Sequence, residues 1–121
     1  MTINNIKAFI ASLWDWSVLD GCFGSPSMRP TDIDGIIEAS GHFLMIETKS
    51  PGKEIPEGQR IMFDKLMENT ENNHFTVLLA WGRPGLPVKM QKWPDEPYKV
   101  DLGEMRRFVK NWYVFSRHNP I

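Results

Sequence analysis

The chain has little cysteine, and its single Cys22 excludes an internal disulfide and any zinc site built from several cysteines. It has no run of eighteen apolar residues, which predicts that no segment spans a membrane. The N-terminal residues lack the charged head, apolar stretch and cleavage site of a signal peptide. Together these absences predict a cytoplasmic protein.

Several common enzyme motifs are missing as well. The sequence holds no GxxxxGK loop, no HExxH and no GxSxG, which disfavours P-loop nucleotide hydrolysis, zinc proteolysis and serine-hydrolase chemistry. It also has no internal repeat, low-complexity tract or linker. A chain of 121 residues with 41% hydrophobic and 24% charged residues is expected to form one globular domain, residues 1–121.

Net charge is also small, at −1, which argues against a tight non-specific DNA binder on global charge alone. The charges are unevenly placed, however. Residues 1–82 carry 6 basic and 11 acidic side chains, whereas residues 83–121 carry 8 basic and 4 acidic ones. This asymmetry gives weak support to a metal-holding part followed by a phosphate-contacting part, although chance fluctuation is the alternative explanation.

The most informative stretch is PTDIDGIIEASGHFLMIETK, residues 30–49, which reads as two short strands joined by a tight turn. Strand residues alternate faces, so Glu47 and Lys49 are expected to point the same way. Asp34 is thirteen residues before Glu47, and a hairpin folding at Ser40-Gly41 brings the two acids together. The stretch therefore predicts two carboxylates and an ammonium group in one place.

Such a group suits metal-assisted phosphodiester hydrolysis. Mg²⁺ or Mn²⁺ prefers oxygen ligands, and Asp34, Glu47 and the carbonyl of Thr48 supply three of them. Lys49 would then lie beside the metal, where its charge orients water or stabilises the phosphate. The alternative is that these are ordinary solvent-facing charges on a half-buried hairpin.

At these residues the chain resembles the PD-(D/E)XK nuclease superfamily, which has the restriction-endonuclease-like fold. The motif stands as Asp34 followed by Glu47-Thr48-Lys49, with the leading Pro-Asp of the family loosened to residues 30–34. Asp32 competes for the first position, but its spacing to Glu47 fits the family less well than that of Asp34. Ser50-Pro51-Gly52, followed by Gly58-Gln59-Arg60, makes the virus-type replication-repair nucleases (VRR-NUC) the nearest branch in appearance, together with Holliday-junction resolvases. The resemblance covers about residues 15–82.

The resemblance implies an α/β fold with an αβββαβ core, in which a mixed central sheet is flanked by helices and followed by an additional C-terminal helix. It implies that Asp34, Glu47 and Thr48 hold Mg²⁺ or Mn²⁺. Lys49 would be catalytic, and Gln59 would contact the scissile phosphate or the attacking water. A buried amide bonded to loop backbone is the alternative for Gln59. Many members carry an acid on the first helix, where this chain offers only Asp15, so a second metal is in doubt.

Periodicity predicts the elements around the hairpin. Helices are expected over residues 3–14, 56–70 and 101–116, a buried strand over 74–81 and an edge strand over 88–93. Residues 17–23 are either a short strand or an extended turn. The apolar stripe of the last helix packs on the core or forms a dimer interface.

Several basic residues are candidates for nucleic-acid contact. Lys89 and Lys92, beside Trp93, could form a phosphate and stacking surface. The residues we assign to this role are Arg29, Lys53, Arg60, Arg106, Arg107 and Lys110. For Arg29 a surface arginine without a role is the alternative.

The sequence therefore predicts a Mg²⁺-dependent deoxyribonuclease that acts on structured or duplex DNA. The small size suits a phage or mobile-element protein in replication, repair or recombination, located in the host cytoplasm if a phage encodes it. A single compact domain is expected to work as a homodimer. One rival is a catalytically silent subunit of the same fold that binds nucleic acid. Another is a protein-interaction module that uses the Trp- and Met-rich surface, since the chain has five tryptophans.

Overall fold

A computed structural model describes residues 5–25, 28–70 and 74–121. The chain divides into two compact units, Met1–Asp32 and Ile33–Ile121. Within the described residues, no helix has both the length and the apolar character needed to cross a membrane.

The first unit contains helix α1, Ile6–Ser12, and a 3₁₀ helix, Trp16–Leu19. The Asn5 side chain caps α1 by accepting from the N–H of Ala8, as expected at a helix start. The beginning of the helix predicted over residues 3–14 lies outside the described residues. Residues 17–23 do not form the strand that was one of two alternatives, because Asp15 caps the 3₁₀ helix and turn residues follow it.

The second unit is a five-stranded mixed sheet with two helices. Its elements are β1 (Gly35–Ala39), β2 (His42–Lys49), α2 (Glu57–Glu68), β3 (Phe75–Arg83), β4 (Leu86–Lys92), β5 (Tyr98–Lys99) and α3 (Leu102–His118). The strands lie in the order β1-β2-β3-β4-β5. Among the described strands, only β2 and β3 are parallel, and α2 is the crossover that joins them.

Strand alternation gives the sheet two different faces. Met45, Val77, Leu79 and Trp81 pack with Phe63 of α2 in one cluster. Leu44, Leu78 and Met90 pack with Trp112 of α3 in the other. The odd-numbered residues of β2 therefore face α2 and the even-numbered ones face α3, which decides where each candidate site residue lies.

The α/β class and the mixed sheet agree with the prediction, but the order of elements differs in two places. The described residues contain two strands before α2, where the αβββαβ order requires three. The strand β4 is not the edge that the sequence predicted, because Lys89 and Met90 pair with the two residues of β5. The last helix forms as predicted, and the Asp101 side chain caps it by accepting from the N–H of Glu104 at 2.8 Å.

Candidate active site

The turn between β1 and β2 sets the register of the site. Ser40 and Gly41 have φ of 53° and 92°, the two positive values of a type I′ turn, and Ala39 pairs with His42 on either side of them. The ladder then runs to the last pair, Gly35 with Ile46. One step further along, Asp34 stands opposite Glu47. Because directly opposed residues project from the same face, both carboxyl groups lie on the α2 face.

Asp34 lies just before β1, where its side chain continues the ladder. Its Oδ2 accepts hydrogen bonds from the backbone N–H of Thr48 at 2.8 Å and from Thr48 Oγ1 at 3.0 Å. The N–H and C=O of one strand residue point to the same edge, so the carbonyl of Thr48 is directed toward the Asp34 side as well. At the start of β1, a carboxylate and a strand carbonyl are therefore directed to the same edge of β2.

Glu47 is the buried member of the carboxyl pair, with 5% of its surface exposed. Burial, the hydrogen bond to the Asp34 carboxyl and the charge of Asp34 together raise the pKa of Glu47 to about 7, and Lys49 opposes this rise. Burial alone would raise the pKa of Asp34, but bonds from Glu47 and Thr48 and the charge of Lys49 lower it overall. The two carboxyl groups therefore share a proton near neutral pH.

Lys49 ends β2 two residues beyond Glu47 on the same face, and it stands opposite Trp81 in the parallel β2–β3 ladder. It makes no ion pair within 4 Å among the described residues. Its charge acts on both carboxyl groups, as their pKa shifts record. The Lys49 charge therefore acts on the carboxyl pair from more than 4 Å away, without an ion pair that would neutralise it.

A cavity of about 430 Å³ opens beside Lys49, at the carboxyl ends of β2 and β3. This end of parallel strands is where open α/β sheets bind ligands. Thr48, Lys49 and Arg83 line the cavity together with the β3–β4 turn and the first turn of α3. A ligand in it would contact the lysine at the end of β2.

Gln59 lies on the sheet-facing side of α2, one turn before the fully buried Phe63. Its side-chain Oε1 is buried and has no hydrogen-bond partner. In the alternative, a buried Gln59 amide bonds loop backbone, and this oxygen makes no such bond among the described residues. No protein group competes for this oxygen, so it can accept a hydrogen bond from a ligand or a water molecule.

The donor set fits a hard divalent cation. Asp34, Glu47 and the carbonyl of Thr48 offer only oxygen atoms, the type that Mg²⁺ and Mn²⁺ prefer. Among residues 5–25, 28–70 and 74–121, no group of three or more His, Cys, Asp or Glu side chains could hold a metal ion, so the oxygen set here has two carboxylates only. A cation at this place would rest on two carboxylates, one carbonyl and water.

The predicted nucleic-acid contacts fall in three different places. Arg29, in the first unit, forms a bidentate pair with Asp20 at 2.7 and 2.8 Å. Lys53 and Arg60 border one cavity with Trp81 and Lys89 on the α2 face, and Arg60 Nε donates to the carbonyl of Ile55. The remaining three, Arg106, Arg107 and Lys110, lie on α3 against the opposite face of the sheet from Glu47 and Lys49.

The competing acid Asp32 makes a hydrogen bond of its own. It belongs to the first unit, where it accepts a hydrogen bond from Trp16 Nε1 at 2.8 Å. Sequence reasoning missed Arg83, which borders the cavity at Lys49, and the alignment of Lys89 and Lys99 with Lys49. The register that aligns these lysines joins four strands, so no local pattern reveals it.

We compared the chain with protein-family models, with curated proteins and with solved structures, and none of them matches it.

Proposed function

We propose that the chain is a metal-dependent deoxyribonuclease with a restriction-endonuclease-like fold. The observation that supports this most is the carboxyl pair, in which Asp34 and Glu47 oppose each other with Lys49 next along the same face. Two acids held together at neutral pH are costly unless a cation or a proton offsets their repulsion. A hairpin followed by a helix and a parallel strand also fits the proposed core, although the described residues lack its first strand.

In this proposal Asp34, Glu47 and the carbonyl of Thr48 hold Mg²⁺ or Mn²⁺. When bound, the metal supplies Lewis acidity toward the phosphate and lowers the pKa of water. Thr48 fixes the Asp34 carboxylate through two hydrogen bonds, so one ligand is oriented before the cation arrives. Glu47 gives up its shared proton at or above neutral pH and becomes the second carboxylate.

The chain also supplies the groups that act on the phosphate. Lys49 lines the cavity at the ends of β2 and β3, which neither carboxyl group lines, and its ammonium group would offset the negative charge that develops on the phosphate oxygens. The free Gln59 Oε1 accepts a hydrogen bond from water and so helps to position it. Both roles require groups without competing partners, and neither Lys49 nor Gln59 Oε1 has an ion-pair or hydrogen-bond partner among the described residues.

The test is cleavage of labelled linear, flapped, nicked and four-way-junction DNA in Mg²⁺ and in Mn²⁺, with EDTA as the metal-free control. We expect cutting that disappears in Lys49→Ala and persists in Lys65→Ala, because Lys65 lies far along α2 in an exposed pair with Glu68. Folded protein that binds DNA but never cuts it would contradict the nuclease and favour the silent binding subunit.

Two further features belong to the proposal. The partner is DNA, and the functional unit is a homodimer that presents two sites to a branched or duplex substrate. Light scattering of the purified chain, alone and with DNA, tests the second feature. A monomer in both conditions would contradict it.

A further inference from the structure

A row of directly opposed side chains crosses the sheet from Lys49. Lys49 pairs with Trp81, Trp81 with Lys89 and Lys89 with Lys99, so four neighbouring strands each contribute one residue. Opposed residues share a face, and the whole row therefore lies on the side of Glu47. With strands about 4.8 Å apart, the backbone positions of Lys49 and Lys99 are separated by roughly 14 Å.

The three lysines of this row have no ion-pair partner among the described residues. Lys89 and Lys99 oppose each other directly, an arrangement that destabilises a sheet through like-charge repulsion. The contact found for Lys89 is with the ring of Trp81, whose centroid is 4.3 Å from Lys89 Nζ. An aromatic ring attracts a cation but leaves its charge in place. The row thus remains cationic and suits an anionic ligand.

The neighbouring surface adds further positive charge. A cavity of about 460 Å³ adjoins the row, and Lys53, Arg60 and Lys89 border it with Glu54 as the one acid among its lining residues. The Trp81 indole N–H donates to the carbonyl of Lys53 at 2.6 Å. This hydrogen bond fixes the loop between β2 and α2 against the row. The cationic surface therefore extends from the row to the beginning of α2.

The aromatic rings in this region narrow the choice of ligand. Trp81 and Trp93 border the same cavity but are only 4% and 9% exposed. Binding of single strands relies on exposed rings on which bases stack, whereas duplex DNA is held mainly through its phosphates. The lysines of the row lie in a line, and the tryptophan rings beside them are buried. This surface is therefore suited to binding phosphates and not to stacking unpaired bases.

We propose that Lys89 and Lys99, together with Lys53 and Arg60, bind the phosphate backbone of duplex DNA as it passes Lys49. This inference rests on the proposed nuclease function, because it takes the carboxyl pair as the place where the backbone is cut. It also assigns binding to the α2 face of the sheet. The basic residues of α3 are not part of this surface.

The test measures binding of a labelled 20-base-pair duplex by fluorescence anisotropy in EDTA, over a range of NaCl concentrations. For Lys89→Gln/Lys99→Gln we expect about tenfold weaker binding near 0.1 M salt. We also expect the slope of log K against log salt concentration to be less negative by about 2. Each lost phosphate contact reduces the size of this slope by about 0.9, and two contacts are removed. The matched control is Arg106→Gln/Lys110→Gln, which exchanges two charges on the other face and should bind as the wild type does. A single strand of equal length should bind more weakly.

Unchanged binding by Lys89→Gln/Lys99→Gln, or an equal loss in the α3 control, would overturn the proposal. Tighter binding of the single strand would overturn its duplex part. Thermal melting separates contact from folding, because removing opposed like charges should leave the melting temperature unchanged or higher, and a lower one would indicate a structural role. Duplex binding without cleavage in Mg²⁺ or Mn²⁺ would refute the nuclease alone. If Lys89→Gln/Lys99→Gln cleaves DNA as fast as the wild type does, the proposed binding surface is refuted and the nuclease function is not.

Discussion

Asp34 and Glu47 oppose each other across the open end of the β1–β2 hairpin, and they share a proton near neutral pH. The arrangement follows from a two-residue turn and from a ladder whose last pair, Gly35 with Ile46, directly adjoins Asp34 and Glu47. Burial and the neighbouring carboxylate hold the pKa of Glu47 at about 7. A small hairpin thus creates a site whose charge depends on pH and on any bound cation.

The raised pKa of Glu47 makes stability depend on pH. The folded state keeps this proton up to about pH 7, whereas the unfolded chain releases it near the ordinary value of 4.5. Because the folded state binds more protons in that window, the contribution of Glu47 to stability falls as pH rises from about 4.5 to 7. The lowered pKa of Asp34 has the opposite effect on stability. Its contribution is present above the ordinary pKa of 3.8 and is lost as the pH falls below that value.

Urea unfolding of the wild type and of Glu47→Gln in EDTA, at pH 5 and pH 8, checks this linkage. When the pH is raised from 5 to 8, we expect the free energy of unfolding of the variant to increase by about 1 kcal/mol relative to that of the wild type. The reason is that the glutamine side chain of the variant carries no charge to bury, so only the wild type is destabilised. An equal difference between the two proteins at both pH values would contradict the shared proton.

The oxygen of Gln59, which no protein group bonds, predicts a loss of activity without a loss of stability. Gln59→Met removes an acceptor that bonds no other group of the described residues, so we expect slower DNA cleavage with little change in the free energy of unfolding. The matched control is Gln91→Met, because Gln91 Nε2 donates to the carbonyl of Asp95 at 2.7 Å. That variant should lose stability. A loss of similar size in both variants would show that Gln59 is satisfied in the folded protein.

The hairpin turn predicts a steric effect at Gly41. A Cβ there would lie 2.7 Å from the Cβ of Ile121, and φ is 92°, so Gly41→Ala should cost about 2–3 kcal/mol of stability. Gly52→Ala is the control, since Gly52 has φ of 78° but no atom within 4 Å of an added Cβ, and about 1 kcal/mol is expected. Deleting Ile121 should narrow the difference between the two variants. Equal costs in the presence of Ile121 would contradict the contact.

The sequence predicted the features of this fold that depend on local signals. The turn at Ser40-Gly41, the alternation that puts Glu47 and Lys49 on one face, and the apolar stripe of α3 each arise within a few residues, and the structure contains all three. Asp34, the acid chosen over Asp32, is the one whose carboxylate is bonded to Thr48, and its role as a metal ligand stays a prediction.

What the sequence could not predict depends on pairing between distant strands. The two residues of β5 are too few for any periodicity, so Lys89 was taken for an edge residue and its position opposite Lys99 was missed. The basic side chains of α3 were assigned to substrate from charge alone, whereas the face they occupy is set by how α3 packs on the sheet. The missing hydrogen bond of Gln59 Oε1 is likewise a property of packing.

The most direct test of the account is calorimetric titration of the chain with Mn²⁺ at pH 8 and pH 6, each in two buffers of different ionisation enthalpy. The account predicts one cation per chain, and release of a proton at pH 6 because binding must displace the one that Asp34 and Glu47 share. Asp34→Asn and Glu47→Gln should each weaken binding at least about tenfold, whereas Glu96→Gln, at an exposed acid, should bind as the wild type does. Absence of Mn²⁺ binding, or equal affinity in all four proteins, would contradict the claim that this carboxyl pair is a metal site.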